Sequence, residues 1–487
     1  MKRFRGIFFY IAVIAVFSFL IYLILSSGNH LEKGRPVIRL AASGQSSLHQ
    51  FTDGFIKNLT GPLATLLAQI AIIIMAGNLA GWVCKKLGQP RVIGEIFAGI
   101  ALGPSLIGRL FPVFSHTIFP TASLGSLQFL SQIGLIIFMF VIGMELDLRA
   151  LKNKSKDALV ISHASIIIPF TLGLGLAYFI YRSLAPAGIP FFSFGLFMGI
   201  SMSITAFPVL ARICQERGIN KTRLGALVIT CAAADDITAW CLLTVVIAVV
   251  KAGSVMSFVY TTALAVAYVI VMLKAVKPLL KLIYSRNIKP GYLGMPVALF
   301  FLTLIISSYA TEAIGIHALF GAFMAGIVMP DNITFREIFI ERIKDVALFL
   351  LLPLFFVFTG LRTQIGVLND TYLWGICGMV ILVAVTGKFI GSSFAARFIG
   401  QSWKDSLSIG ALMNTRGLVE LIVLNIGYDL GVLTKPVFAM LVIMALVTTI
   451  MTVPVLNLLD KIFGKSPAEE PLLPEEHPHD DVISAGR

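Results

Sequence analysis

Two aspartates stand side by side in an apolar run, Asp235 and Asp236 in ALVITCAAADDITAWCLLTVVIAVV. Charge is expensive inside a hydrocarbon layer, so an acid within a long apolar run reads as a group on an ion or proton path. Neighbouring helical positions point about 100° apart. The two carboxylates therefore serve different partners, one facing a cavity and the other a counter-ion. Lys388, in ILVAVTGKFIGSSFAARF, is the natural counter-ion. It stands about nine residues from the inner end of its run, roughly 13 Å at about 1.5 Å per residue. That is a long reach for a side chain snorkelling to the interface. Burial disfavours charge on both partners and their mutual attraction restores it, which makes a buried Lys–Asp pair responsive to protons. The remaining carboxylate would hold either a proton or a hard cation with oxygen ligands. Binding one releases the other, and a site that opens alternately to two sides turns this competition into exchange.

Further polar residues interrupt two other runs. SMSITAFPVLARI carries Pro208, which removes a helical hydrogen bond, together with Ser203 and Thr205. Those two could lend hydroxyl or carbonyl oxygen to a cation, or simply help helices to pack. ALMNTRGLVELIVLNIG carries Asn414, Arg416, Gly417 and Glu420 in mid-run. Arg416 and Glu420 are four apart and can pair on one helical face, which reads as a structural ion pair at a break. Glu95, in RVIGEIFAGIALGP, lies near an inner end, with a structural role or a place on an access path. His163 and His317 are lone histidines and read as structural. The five cysteines have no metal-ligand spacing, and no metal other than a transported cation is expected.

The elements that must position these residues are set by composition. The chain has 487 residues, 57% of them hydrophobic and 13% charged, against about 25% charged in ordinary soluble domains. A spanning helix needs about 20 mostly apolar residues. Such runs fall at about 7–26, 62–84, 92–108, 125–146, 158–181, 190–212, 224–250, 254–273, 292–310, 313–330, 346–361, 371–397, 405–428 and 436–460. This predicts an all-α polytopic membrane protein. The net charge of +13 lies mostly in short loops on one side of the predicted membrane. That is the positive-inside pattern rather than a nucleic-acid footprint, and it puts both termini inside. The expected domains are a membrane anchor or signal-like helix at 1–26, an extracytoplasmic linker at 27–61, a transport domain at 62–460 and a disordered cytoplasmic tail at 461–487. The tail's Glu475, Glu476, His477, His479, Asp480 and Asp481 read as a solvated acidic run rather than a metal site.

The chain also repeats. FMFVIGMELDLRAL (138–151) resembles FFVFTGLRTQIGVL (355–368), and AGIALGP (98–104) resembles AGIVMP (325–330). Partners lie seven segments apart, and an odd offset reverses their direction across the membrane. This predicts an inverted repeat with halves near 62–250 and 292–460. The two interrupted runs are also seven segments apart. Broken helices at matching places in two repeats point to a transport site.

At these residues the chain resembles the monovalent cation:proton antiporter family, which includes bacterial sodium/proton antiporters, potassium efflux systems and plant cation/proton exchangers. The resemblance rests on GQPRVIGEIFAGIALGPSLIG (88–108), SITAFPVLARI (203–213), CAAADDITAW (231–240), IGIHALFGAFMAGIVMP (314–330), Lys388 and NTRGLVELIVLNIG (414–427). It implies an antiporter fold with about thirteen core helices plus the N-terminal one, two crossed broken helices beside the acidic pair, and a homodimer. It makes Asp236 the carboxylate for cation and proton, and Asp235 the partner of Lys388. In this family an acidic pair accompanies electrogenic sodium/proton exchange, so Asp235 favours Na+ or Li+, whereas NTRGLVELIVLNIG looks closest to plant-type exchangers, several of which prefer K+. The transported Na+ or K+ and H+, with membrane lipids, are the implied partners, and no cofactor is implied. Two other classes fit poorly. A channel needs a pore-lining ring or filter loop, and an aspartyl protease needs two carboxylates converging on one water.

Overall fold

A chain segment in lipid has no water to bond its peptide groups, so long apolar runs close their hydrogen bonds internally as helices. The computed structural model describes residues 2–31, 47–145, 156–219, 222–252, 255–285, 294–330, 340, 343 and 345–464. No β-strand occurs among the described residues. Twelve of their helices are long and apolar enough to cross a membrane, or thirteen if the bent pair Trp403–Met413 and Leu418–Asp429 counts as one span. The chain is an integral membrane protein. The acidic run of the tail, part of the linker and several basic loop residues, Arg149, Lys152 and Arg336 among them, lie outside the described residues.

Two compact units divide at Gly61 and Pro62. The first holds α1 (Lys2–Leu31) and α2 (Ser47–Leu59). Phe8, Phe17 and Phe19 of α1 are exposed. The second begins with α3 (Pro62–Lys86), α4 (Arg91–Leu102), α5 (Leu124–Glu145) and α6 (Lys156–Leu184). The broken pair α7 (Phe191–Ser203) and α8 (Phe207–Glu216) precedes α9 (Arg223–Ala252), which carries both aspartates. The helix α10 (Val255–Val271) runs on through a π-helical turn, and α11 (Gly294–Ile314), α12 (Ala318–Ile327) and α13 (Leu352–Arg362) follow. The long helix α14 (Thr371–Phe398) includes a π-helical turn at Thr386–Ile390. The second broken pair, α15 (Trp403–Met413) and α16 (Leu418–Asp429), is followed by α17 (Lys435–Phe463).

The helices of the second unit pack as two sets. One is built from α3, α4, α5, α11, α12 and α13, and the other from α6 to α9 with α14 to α17. The sequence repeat has a direct packing consequence in the first set. The helix α4 packs on α13 and α12 packs on α5, so each repeat lends one helix to a pair with the other. The glycines that align between the repeats sit at the two contacts. A Cβ on Gly99 would lie 2.2 Å from the Val357 carbonyl oxygen, and one on Gly360 would lie 2.4 Å from that of Ile96. At the other contact a Cβ on Gly143 would lie 2.2 Å from the Phe323 carbonyl oxygen, and one on Gly326 would lie 2.3 Å from that of Phe140. Backbones this close leave room only for hydrogen, which is how small residues drive helix association in lipid.

Candidate functional site

The two broken pairs meet where their helices stop. The helix α7 ends at Ser203, and Ile204 to Ala206 run extended. Pro208 stands in the first turn of α8, where a missing N–H costs nothing. The break therefore precedes the proline rather than lying at it. In the second pair Asn414 closes α15 and Gly417, with φ 170°, opens α16. The extended stretches bond to each other, the Ala206 amide donating to the Thr415 carbonyl at 3.0 Å. A Cβ on Gly417 would lie 2.7 Å from Val209 Cγ2 and 3.2 Å from Ala206 Cβ, so the crossing needs glycine there.

Breaking a helix in a membrane leaves carbonyls at its C-terminal end without amide partners. At the end of α7 two buried cations satisfy them. Arg416 Nη1 donates to the Ser201 carbonyl at 2.7 Å, Nη2 to the Met202 carbonyl at 2.6 Å, and Lys388 Nζ to the Ser203 carbonyl. Positive charge is also what the negative end of a helix dipole favours. Arg416 Nη1 further pairs with Glu420 Oε2 at 2.7 Å, both side chains fully buried. The Arg416 amide and carbonyl are both tied to Thr449 Oγ1 of α17.

Asp235 and Lys388 form a fully buried ion pair at 3.1 Å. The aspartate's remaining acceptor positions are also filled. Ser162 Oγ donates to its Oδ1 at 2.6 Å, while Ser165 Oγ at 2.6 Å and Thr205 Oγ1 at 2.7 Å donate to Oδ2. An ammonium has three N–H groups to place, and those of Lys388 meet the Ser203 carbonyl, Asp235 Oδ2 and, at 2.8 Å, the Ser165 carbonyl. Ser165 is free to accept because Pro169, four residues on within α6, has no amide to take up its carbonyl. The lysine itself rides on the π-helical turn Thr386–Ile390, a local widening of the helix that recurs at functional sites. Asp236 is set apart from this network. It is 6% exposed, its Oδ1 has no hydrogen-bond partner, and the Phe207 amide at the start of α8 faces its carboxylate.

The other residues singled out from the sequence are distributed around this centre. Ser203 brings its carbonyl to Lys388, while its hydroxyl donates to the Ile200 carbonyl at 2.9 Å. Asn414 donates to Met451 Sδ at 3.7 Å and leaves its Oδ1 unpartnered and buried. Glu95 is buried in the other set of helices, beside Gly77. His163 bonds the Leu159 carbonyl of its own helix, and His317 caps the start of α12 with a positive φ of 84°. Ser162 and Ser165 escaped sequence reasoning. Their signal was present, two serines three apart in an apolar run with a proline four beyond the second.

A sequence profile described as "Sodium/hydrogen exchanger, transmembrane" matches residues 70–458. The chain belongs to the sodium/hydrogen exchanger family. The match to this family takes in both broken pairs, the acidic pair and Lys388. Among its relatives, the Na(+)/H(+) antiporter NhaS4 of Synechocystis sp. is 42% identical over 81% of this chain and 97% of its own length. Cation/H(+) antiporter 17 of Arabidopsis thaliana is 40% identical over 80% of this chain and 48% of its own. K(+)/H(+) antiporter 1 of Saccharomyces cerevisiae is 34% identical over 83% of this chain and 47% of its own. The chain thus spans about half the length of the plant and yeast relatives. The sodium proton antiporter MjNhaP1 of Methanocaldococcus jannaschii shares the fold, with a TM-score of 0.60 at 16% identity over 83% of this chain and 100% of that one. The family is one of transporters, and the inverted-repeat exchanger fold expected from the sequence is the fold found.

Proposed function

We propose that this chain exchanges Na+, or Li+, for H+ across a membrane by alternating access, with Asp236 as the carboxylate that holds cation and proton in turn. One contrast carries the reading. Asp235 has its acceptor positions filled by three hydroxyls and Lys388, whereas its neighbour Asp236 is buried with Oδ1 unpartnered. A buried carboxylate without a counter-ion gains by binding either a proton or a cation. Asp235 and Lys388 hold the crossing together while paired, and breaking that pair with exchange of a proton alongside Asp236 would make exchange electrogenic. Thr205 ties the pair to the break, Ser203 supplies the carbonyl that anchors Lys388, and Arg416 with Glu420 holds the break itself. The sodium reading draws support from the 42% identical Synechocystis relative, whose name states Na(+)/H(+) antiport. A K+/H+ reading draws on the plant-like stretch NTRGLVELIVLNIG and on the yeast relative named as a K(+)/H(+) antiporter.

On this reading residues 62–460 form the transport domain of a homodimer in a bacterial-type inner membrane, with the anchor at 1–26, the linker at 27–61 outside and the tail at 461–487 in the cytoplasm. The test is cation-induced dequenching of a pH-sensitive dye in proteoliposomes, scanning Na+, Li+, K+ and Rb+. Na+ and Li+ should release protons in the wild-type protein, and Asp236→Asn should abolish the response. Full exchange in Asp236→Asn would remove the assignment, and a response to K+ and Rb+ alone would establish the second reading.

A further inference from the structure

At the end of the helices where the charge pattern places the outside, one arginine ties the two helix sets together. Arg362, the last residue of α13, donates from Nη1 to Asn425 Oδ1 at 3.0 Å and from Nη2 to Asp429 Oδ1. Both acceptors belong to α16, in the other set. Asn425 is 7% exposed, and its amide orientation is set by its own donors. Its Nδ2 gives one hydrogen bond to Thr359 Oγ1 and one to the Leu421 carbonyl, each at 2.9 Å, which turns Oδ1 towards Arg362. Gln128 of α5 donates to Asp429 Oδ2 at 3.2 Å. The arginine's stem and plane rest on Phe358 and Tyr428, with the guanidinium carbon 5.3 and 4.7 Å from their ring centres. Gln128, Phe358, Arg362, Asn425 and Asp429 line, with His317, a small cavity of about 30 Å³ between the sets.

The guanidinium is a cation already seated on a carboxylate and an amide carbonyl, the oxygen donors that a hard monovalent cation takes. The cavity also lies along the helix that starts at the crossing. The start of α16 is at the crossing, and Asn425 and Asp429 follow seven and eleven residues on, roughly 11 and 17 Å at about 1.5 Å per residue. We propose that Asn425 and Asp429 form an outer waiting site for the transported monovalent cation, and that Arg362 occupies it as a tethered substitute while the outer side is closed. Opening the outer side parts the two sets, withdraws Arg362 from α16 and exposes the oxygens to an incoming cation. Closing returns the arginine and displaces the cation towards Asp236. This rests on the exchange reading above, because a waiting site has meaning only on a transport path.

The two partners should act with opposite sign and from one side only. In vesicles of defined orientation, Asp429→Asn should raise the half-saturating concentration of NaCl applied from the outside by about threefold, the scale of a partly exposed ion pair. Arg362→Gln removes the competitor and should lower it. Neither should move the value measured from the inside. If Arg362→Gln does not fold, Arg362→Met keeps the contact with Phe358 and Tyr428 and serves in its place. Effects of the same sign, equal effects from both sides, or no change in either variant would overturn the waiting site. Wild-type vesicles in which no cation moves protons would instead overturn the exchange reading, so the two failures are distinguishable.

Discussion

Asp235 and Asp236 show how packing gives two identical side chains different surroundings. The four partners of Asp235 come from three places in the fold, Ser162 and Ser165 on α6, Thr205 at the break and Lys388 on α14. Removing one member of a buried pair leaves an uncompensated charge, at a cost of about 3–5 kcal/mol, whereas removing both can be close to neutral. Lys388→Met should therefore lower the thermal stability of the detergent-solubilised protein sharply, and adding Asp235→Asn should restore much of it. A double variant no more stable than the single one would show that the pair is not the local source of stability. Asp236 lends itself to a different measurement. If cation and proton compete for it, the half-saturating Na+ concentration should fall as pH rises, because fewer protons occupy the site. A value flat with pH across the working range would argue that the two do not share a carboxylate.

At the scale of elements, the crossing depends on what is missing. Gly417 has no side chain because Val209 and Ala206 stand where a Cβ would go, and Val209 belongs to α8, beside the break. Gly417→Ala should cost about 1–3 kcal/mol as an overpacking change and should slow exchange, since the stretch that must shift carries Arg416 to the end of α7. Unchanged turnover in a folded Gly417→Ala protein would mean that the crossing relaxes more freely than its packing suggests. Pro208 illustrates a limit of reading elements from a sequence. Proline marks a helix boundary nearby, but whether it lies within the break or just after it depends on where the chain first leaves helical geometry. Here Ile204 to Ala206 leave it, held by the Thr415 carbonyl and by Lys388 on Ser203.

At the scale of the whole molecule, the inverted repeat is both a history and a packing rule. Gly99 with Gly360, and Gly326 with Gly143, make equivalent contacts at two places in the first set. Gly99→Leu and Gly326→Leu should therefore both prevent assembly of that set, read as loss of the monodisperse protein in detergent. Tolerance of either would show that the two contacts are not equivalent. The second set holds the charged centre, and the polar tie of Arg362 to α16 joins the sets at one end. Alternating access asks for this arrangement, two bodies packed within themselves and linked by bonds that can be exchanged.

The fold and the acid pair were legible in the chain itself. Apolar runs of spanning length force helices, because lipid offers backbone groups no other partner. A charged residue in such a run stands out against its surroundings, and an inverted repeat leaves its period in the residues that pack most tightly. Asp235, Asp236, Lys388, Arg416 and Glu420 were all visible for that reason. Contact between residues remote in the chain was not. Only the tertiary structure decided that Ser162 and Ser165 close the shell around Asp235, that Pro169 frees a carbonyl for Lys388, and that Arg362 is seated on Asn425 and Asp429. Serine, proline and asparagine have many local uses in a helix, so their types carry little information about partners 60 to 220 residues away. Those partners are chosen by which helix ends and faces the packing brings together.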